Sequence, residues 1–355
     1  SMSPTGGSKT KQDFTSPQQA WGYVREYTEE NPEQPLDYTD MPRFSIELEN
    51  KYLRETTEAM KRVGESVNNG TALTVDDSVI DFEGVDSSNV IQYESTLSLA
   101  AADSVSVDRE GNTVGFNGSD LADAIGDVNM TTDARLQTEY PDEKNVPPKL
   151  VYYADGAKRE SVYLTHDTSR QPDIPEFEFA ASVSDVPADL FKQRVRGLRK
   201  INDGSLALVF TDSEAYMVTE NDSGERARGR LSEDPSNIMR DAGGERTHAF
   251  YSSDYLRDIS LSPYRPASTD VTIRLTAPEG QGPEDVVVGP AIFHYEQRGG
   301  YVKYMLAPRI QNDDADEWDL SQYPKIDGCP GASLKELHEP LSAGEPAPEI
   351  PELGL

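Results

Sequence analysis

The sequence predicts an α+β protein made of two duplicated domains, each with helices on one face of antiparallel sheets. Three observations carry this reading. Residues 44–48 alternate apolar and polar with the period of a half-buried strand, and 71–75, 149–153 and 206–210 are short apolar-rich runs of strand length. Two longer stretches, 50–63 and 187–201, instead repeat apolar residues three or four apart, as amphipathic helices do. Finally, one order (strand, long helix, three strands, short helix, three strands) occurs twice. Its sharpest internal match sets Asn117-Gly118-Ser119-Asp120-Leu121-Ala122-Asp123-Ala124-Ile125 beside Tyr251-Ser252-Ser253-Asp254-Tyr255-Leu256-Arg257-Asp258-Ile259. Both carry Ser-Asp at the helix start and Ile five residues after the Asp. Repetition at domain scale points to duplicated α+β domains side by side.

Composition narrows the class further. A chain of 355 residues suits two ordinary domains plus extra segments. Acidic residues outnumber basic ones 64 to 33, the net charge is −31, and only 35% of residues are hydrophobic. Such a balance is compatible with disorder, but 17 Tyr, 10 Phe and the repeated Val/Ile/Leu alternation favour packed sheets. Acid spread evenly over a patterned chain suits molar salt, where a carboxylate-coated surface stays hydrated and its self-repulsion is screened. A haloarchaeal or haloviral source is expected. The single cysteine, Cys329, leaves no intrachain disulfide and no cysteine metal cluster. No apolar run approaches a membrane span, and residues 1–12 are polar without the pattern of a signal peptide. A soluble cytoplasmic protein is expected, in the host cytoplasm if the source is viral.

In chain order, residues 1–42 form an N-terminal extension. Its start reads as disordered, and Ser16-Pro17 is a cap with proline at the first helical position. The short helix that follows sets Trp21, Val24 and Tyr27 along one side, either as a docking helix or as an appendage packed on its own domain. Residues 31–42 are a proline-bearing linker. The first domain is expected over 43–165: a strand, a helix capped by Asn50 with the core stripe Leu53, Thr56, Met60 and Val63, and strands at 71–75, 79–83 and 90–99. A hairpin over 105–116 turns at Glu110-Gly111-Asn112, a short helix spans 119–128, and strands at 136–140, 149–153 and 161–165 close the domain. Residues 166–176 are polar and proline-bearing, an extended connector. The second domain, 177–311, repeats the order around a helix with the stripe Phe191, Val195 and Leu198. Residues 312–355 are acidic and proline-rich, with Lys325 and Lys335 as the bases, and read as a disordered tail.

Catalytic signatures are missing. His166, His248, His294 and His338 show no metal-ligand spacing, and neither a phosphate-loop glycine motif nor a nucleophile elbow occurs. Asp313-Asp314-Ala315-Asp316-Glu317 lacks a calcium-loop pattern, and Ser8 with Lys11 lies in a segment read as disordered. No enzyme, cofactor or bound metal is expected.

The last strand breaks its alternation at Ala307-Pro308, where proline removes the donor a central strand would need. This leaves an apolar ledge at a sheet end. Together with three other stretches it carries a resemblance. Val85-Asp86-Ser87-Ser88-Asn89-Val90, Gln171-Pro172-Asp173-Ile174-Pro175, Phe250-Tyr251-Ser252-Ser253-Asp254-Tyr255-Leu256 and Tyr304-Met305-Leu306-Ala307-Pro308-Arg309-Ile310 are similar to the early loop, connector end, short-helix start and closing strand of DNA sliding clamps of the proliferating cell nuclear antigen (PCNA) type. The likeness covers roughly residues 43–311.

The resemblance implies a homotrimeric, pseudo-sixfold ring around duplex DNA, with helices lining the hole and sheets forming the outer wall. Partners would be double-stranded DNA held without regard to sequence, a clamp loader, and DNA polymerase with other proteins bearing a clamp-binding motif. These would dock on an apolar pocket beneath the connector; no membrane is involved. Residues carried over to that pocket are Val85, Asn89, Val90, Pro290, Met305, Leu306, Ala307 and Pro308. Phosphate neutralisation calls for bases on the helices. Lys192, Arg196 and Arg199 stand four and three apart beside the core stripe, with Lys200 adjoining and Arg194 directed elsewhere. Lys51, Arg54, Lys61 and Arg62 are the first-domain candidates, interrupted by Glu55 and Glu58, and the first short helix has no base. For the subunit seam the resemblance pairs the strand over 161–165, with Glu160, Ser161 and Tyr163, against the neighbour's strand over 226–231, with Arg226, Arg228 and Arg230 on one face. The connector departs from the family pattern, since 166–170 offers no large apolar residue. An alternative reading is a clamp-like interaction protein that closes no ring and modulates a host clamp; another is an acidic, β-rich enzyme with an unrecognised site.

Overall fold

The computed structural model describes residues 40–64, 71–86, 90–111, 113–141, 148–162, 164–165, 177–241, 246–263, 268–278 and 289–309. The Trp21 segment, the connector and the acidic tail lie outside these described residues. The chain divides into two compact units, Ser1–Ile174 with Gln297–Val302 and Pro175–Glu296 with Lys303–Leu355.

The first unit opens with β1 (Arg43–Glu49), whose alternation buries Phe44, Ile46 and Leu48. Helix α1 (Asn50–Gly64) follows without a loop and buries the expected stripe Leu53, Thr56, Met60 and Val63. The hydroxyls of Thr56 and Thr57 donate to the carbonyls of Tyr52 and Leu53, at 2.8 Å each, so both buried threonines are satisfied within the helix. Next come β2 (Thr71–Val75), β3 (Val79–Val85), β4 (Ile91–Ser98), β5 (Ser104–Arg109), β6 (Val114–Phe116), α2 (Gly118–Gly126), β7 (Asp133–Glu139), β8 (Lys149–Ala154), β9 (Ala157–Val162) and β10 (Leu164–Thr165). They form antiparallel sheets in the orders β5-β1-β7-β8-β9 and β10-β6-β2-β3-β4.

Three expectations change here. Asn50 does begin α1, but its side chain serves the neighbouring helix. Its Nδ2 donates to the carbonyls of Ile125 and Val128, 3.1 Å each, at the C-terminal end of α2. The open N–H groups of α1 are met by loop carbonyls instead, Asn50 to Thr132 at 2.8 Å and Lys51 to Met130 at 3.0 Å. The stretch 105–116 is not a hairpin: β5 pairs with β1, whereas β6 pairs with β2 and β10. The chain crosses between sheets at Gly111, where φ is 73° and a Cβ would lie 2.4 Å from the Pro42 nitrogen. Lastly, the sheet edge is not 161–165 but β9, Ala157–Val162. Asp155 and Gly156, both with positive φ, make the tight turn that pairs β9 with β8, while β10 joins the other sheet.

The second unit runs β11 (Phe177–Pro187), α3 (Ala188–Leu198), β12 (Ser205–Phe210), β13 (Ala215–Glu220), β14 (Arg226–Ser232), β15 (Ile238–Arg240), β16 (Thr247–Ser252), α4 (Ser253–Leu261), β17 (Asp270–Pro278), β18 (Ala291–Gln297) and β19 (Gly300–Leu306). Its sheet orders, β15-β11-β17-β18-β19 and β16-β12-β13-β14, repeat those of the first unit strand for strand, with β10 as the addition. Five strands, rather than three, separate the two helices in each unit. The Ala188 N–H donates to the Thr269 carbonyl at 2.9 Å, as that of Asn50 does to Thr132. Tyr152 lies across from Leu136 and Ile46, and Phe293 correspondingly across from Ile273 and Val183. Phe293 stacks on Phe191 at 5.7 Å, an apolar contact in the place of a polar one.

Candidate nucleic-acid interface and docking edges

Helix α3 is amphipathic in the plain sense: Leu190, Phe191, Val195 and Leu198 are buried against the sheets. Lys192 and Arg196 stand four apart on one side of α3, and Lys200 follows in the turn just past the helix end. Arg196 and Lys200 are exposed and Lys192 is half-buried. None of the three makes an ion pair with the described residues. Arg199 differs, because its guanidinium reaches Asp254 at 2.6 Å and Ser253 Oγ at 3.3 Å on α4. Asp254 is shared with Arg257 at 3.3 Å, and Arg257 also meets Asp258 at 3.0 Å. Arg194 is buried, and its Nε donates to the Arg230 carbonyl at 2.9 Å, tying α3 to β14.

The first-unit candidates on α1 are engaged. Lys51 meets Glu49 at 2.7 Å, which raises the lysine pKa, and its ammonium lies 4.8 Å from the Tyr52 ring centre. Lys61 meets Asp123 of α2 at 3.2 Å, and Arg62 meets Glu58 one turn back at 3.1 Å. Arg54 is half-buried and also has a partner. Helix α2 carries Asp120 and Asp123 and no base.

Strands β9 and β14 are each the outermost member of a sheet. Glu160 lies within β9 and is exposed; Lys149 and Lys158 each reach it at 2.7 Å and hold its carboxyl below the usual range. Ser161 is also in β9, whereas Tyr163 falls outside the described residues. In β14 the register Arg230 opposite Tyr216, Arg228 opposite Val218 and Arg226 opposite Glu220 sets the three arginines on one face, as their alternation implies. All three have partners in their own unit. Arg226 bonds Glu220 at 2.8 Å, and Arg230 meets Glu233 at 2.6 Å. Arg228 is buried, bonded to Glu214 and seated 3.7 Å over the Tyr216 ring. Those cross-strand carboxylates were the part the spacing of the arginines alone did not reveal.

The docking-ledge residues fall in both units. In the first, buried Asp86 accepts from the N–H groups of Val90 at 2.7 Å and Ile91 at 3.0 Å, which shapes the loop that bears half-buried Val85 and Val90. Asn89 lies outside the described residues. In the second, Pro290 is buried and its carbonyl accepts from Thr276 Oγ1 at 2.6 Å. Leu306 is wholly buried, while Met305, Ala307 and Pro308 remain half-exposed. Arg309 pins this end of the chain. Its N–H donates to the Phe250 carbonyl at 2.7 Å and its guanidinium to that of Gly204, also at 2.7 Å. Phe250 and Arg309 thus fix the ledge, although neither was among the expected pocket residues.

Among the described residues no cluster of His, Cys, Asp or Glu is arranged to hold a metal, and no helix is long and apolar enough to cross a membrane.

No family model matches the chain. Its sequence is 28% identical over 240 residues to the DNA polymerase sliding clamp of Natronomonas pharaonis, covering 67% of this chain and 89% of that protein. It is 29% identical over 243 residues to the DNA polymerase sliding clamp of Halobacterium salinarum, with the same coverage, 67% and 89%. Among solved structures, PCNA of A. fulgidus bound to the C-terminal region of FEN-1 superposes with a TM-score of 0.60 at 19% identity, covering 76% of this chain and 100% of the other. PCNA from Thermococcus kodakaraensis gives 0.58 at 18% identity, with 75% and 100% covered.

Proposed function

We infer, from a chain with the PCNA-type sliding-clamp fold and haloarchaeal sliding-clamp relatives, that it is a DNA polymerase sliding clamp. It encircles duplex DNA and tethers replication and repair proteins, acting without catalysis in the cytoplasm. The observation that carries the ring is the pair of open edges. Within the first unit, Ser98 at the end of β4 donates to the Gly299 carbonyl at 2.6 Å, and the Tyr301 hydroxyl bonds Glu94, so residues 299–301 run beside β4. By the repeat, the counterparts of β4 and β19 are β14 and β9, and among the described residues neither edge pairs with a further strand. Joining β9 of one chain to β14 of the next repeats that arrangement between subunits and closes a homotrimer of six similar units. Glu160, Ser161 and Tyr163 then flank the seam opposite Arg226, Arg228 and Arg230, whose intra-unit pairs stiffen the edge.

The long helices line the hole, and Lys192, Arg196, Arg199 and Lys200 are the bases that meet the duplex, whereas Lys51, Arg54, Lys61 and Arg62 of α1 are engaged by partners within the chain. A loader opens the ring on DNA. Polymerase and other partners dock clamp-binding peptides on Val85, Asn89, Val90, Pro290 and Met305 to Pro308, an extended apolar edge of the kind that takes peptides. Light scattering in molar KCl tests the assembly, and a stable monomer refutes it. Loader-dependent stimulation of a cognate polymerase on circular primed DNA tests the function.

A further inference from the structure

Resting on the clamp reading, we propose that DNA is followed by only one of the two units of each chain: Lys192, Arg196 and Lys200 of the second unit contact the phosphates, and the first unit is an electrostatically silent part of the wall. At molar salt the screening length is about 3 Å, so only bases in direct contact with phosphate count, and the net charge of the chain hardly matters. A base contributes to binding when it releases the cations condensed on phosphate. One already held by a carboxylate has to give that partner up, and the freed carboxylate recruits a cation of its own, so the exchange gains little.

This separates the two units. In the first, Lys51, Lys61 and Arg62 sit 2.7, 3.2 and 3.1 Å from Glu49, Asp123 and Glu58, and α2 adds Asp120 with no base of its own. In the second, the acids of α4 are matched by Arg199 and Arg257. The Lys192, Arg196 and Lys200 row is left unopposed among the described residues. Around a ring of three chains, charged contact alternates with bare wall, and the duplex is held at three places.

The test measures anisotropy of a short fluorescein-labelled duplex bound to the full chain across a KCl series. The slope of log affinity against log salt is the readout, with about 0.9 expected per neutralised phosphate. The triple variant Lys192→Gln, Arg196→Gln, Lys200→Gln flattens the slope by about 0.9 for each phosphate that is no longer neutralised. The pair Lys51→Gln, Lys61→Gln leaves it unchanged, and Asp123→Asn, which releases Lys61, steepens it. Light scattering and thermal unfolding confirm that each variant keeps the assembly of the unaltered chain. Equal flattening by both sets, or none from the triple variant, overturns the proposal while leaving a trimeric, polymerase-stimulating chain as a clamp. An unaltered chain that is monomeric and stimulates no polymerase overturns both.

Discussion

The Tyr152 hydroxyl donates to Asn50 Oδ1 over 2.7 Å, and Asn50 in turn donates to the carbonyls of Ile125 in the last turn of α2 and of Val128 just past it. One buried amide thus joins a strand and both helices of the first unit. Removing the hydroxyl leaves a buried acceptor unmet, so Tyr152→Phe lowers stability by about 1–3 kcal/mol, read from the urea midpoint. Burial pushes this phenol from 10.0 up to about 12. A raised value of this kind means the stabilisation is whole below pH 10.0 and lost as pH rises through about 12. An alkaline titration of stability shows that loss in the unaltered chain and a smaller one in the variant. Equal curves refute the linkage.

Arg228 and Glu214 make a different prediction. The arginine is buried, so Glu214→Ala removes the carboxylate partner of a buried charge and destabilises by about 3 kcal/mol. Because the pair is shielded from solvent, that cost persists as KCl is raised. The exposed pair of Lys61 and Asp123 serves as the control: Asp123→Asn leaves the denaturation midpoint where it was.

Met305 and Leu306 separate partner binding from folding. Leu306 is wholly buried, so Leu306→Ser costs about 2–5 kcal/mol of stability. Met305 is half-exposed, and on the proposed docking edge Met305→Ser weakens the binding of a clamp-binding-motif peptide from the cognate polymerase by calorimetry without moving the unfolding midpoint. Unchanged peptide affinity removes Met305 from the docking edge.

The repeated helices, their core stripes and most strands were legible because each is a local pattern with one period. Residues 105–116 were misread for a physical reason. Two alternating runs around Gly111 look like a hairpin whether they pair with each other or with different sheets, and only Met41 and Pro42, far away in sequence, decide it. The edge β9 carried a legible signal in the turn residues Asp155-Gly156, while β15 is only three residues long and too short to show a period. At the candidate site, the bases were visible but their partners were not. Asp123 is far from Lys61 along the chain and adjacent only once α1 and α2 pack.

Glu160 gives the edge strand β9 an acid dependence. Its carboxyl is held below the ordinary 4.5 by hydrogen bonds from Lys149 and Lys158. A lowered value means stabilisation that is present above 4.5 and lost as pH falls through the folded value. Because both lysines belong to the same chain, the loss is one of folding: urea unfolding from neutral pH to below 4.5 shows it in the unaltered chain, and Glu160→Gln blunts the pH dependence. Equal pH profiles of the two chains refute the linkage.

In the proposed ring the two joined edges, β9 and β14, are different strands of different units. Such a head-to-tail joint leaves every added chain presenting a fresh edge until the last meets the first. Subunit number is therefore fixed by the angle each chain turns, not by the chemistry of the joint. A substitution that alters that angle yields a ring of another size where the new rotation closes and an open helical filament where it does not. The same polarity gives a closed ring two unlike sides, so every docking ledge points the same way along the DNA.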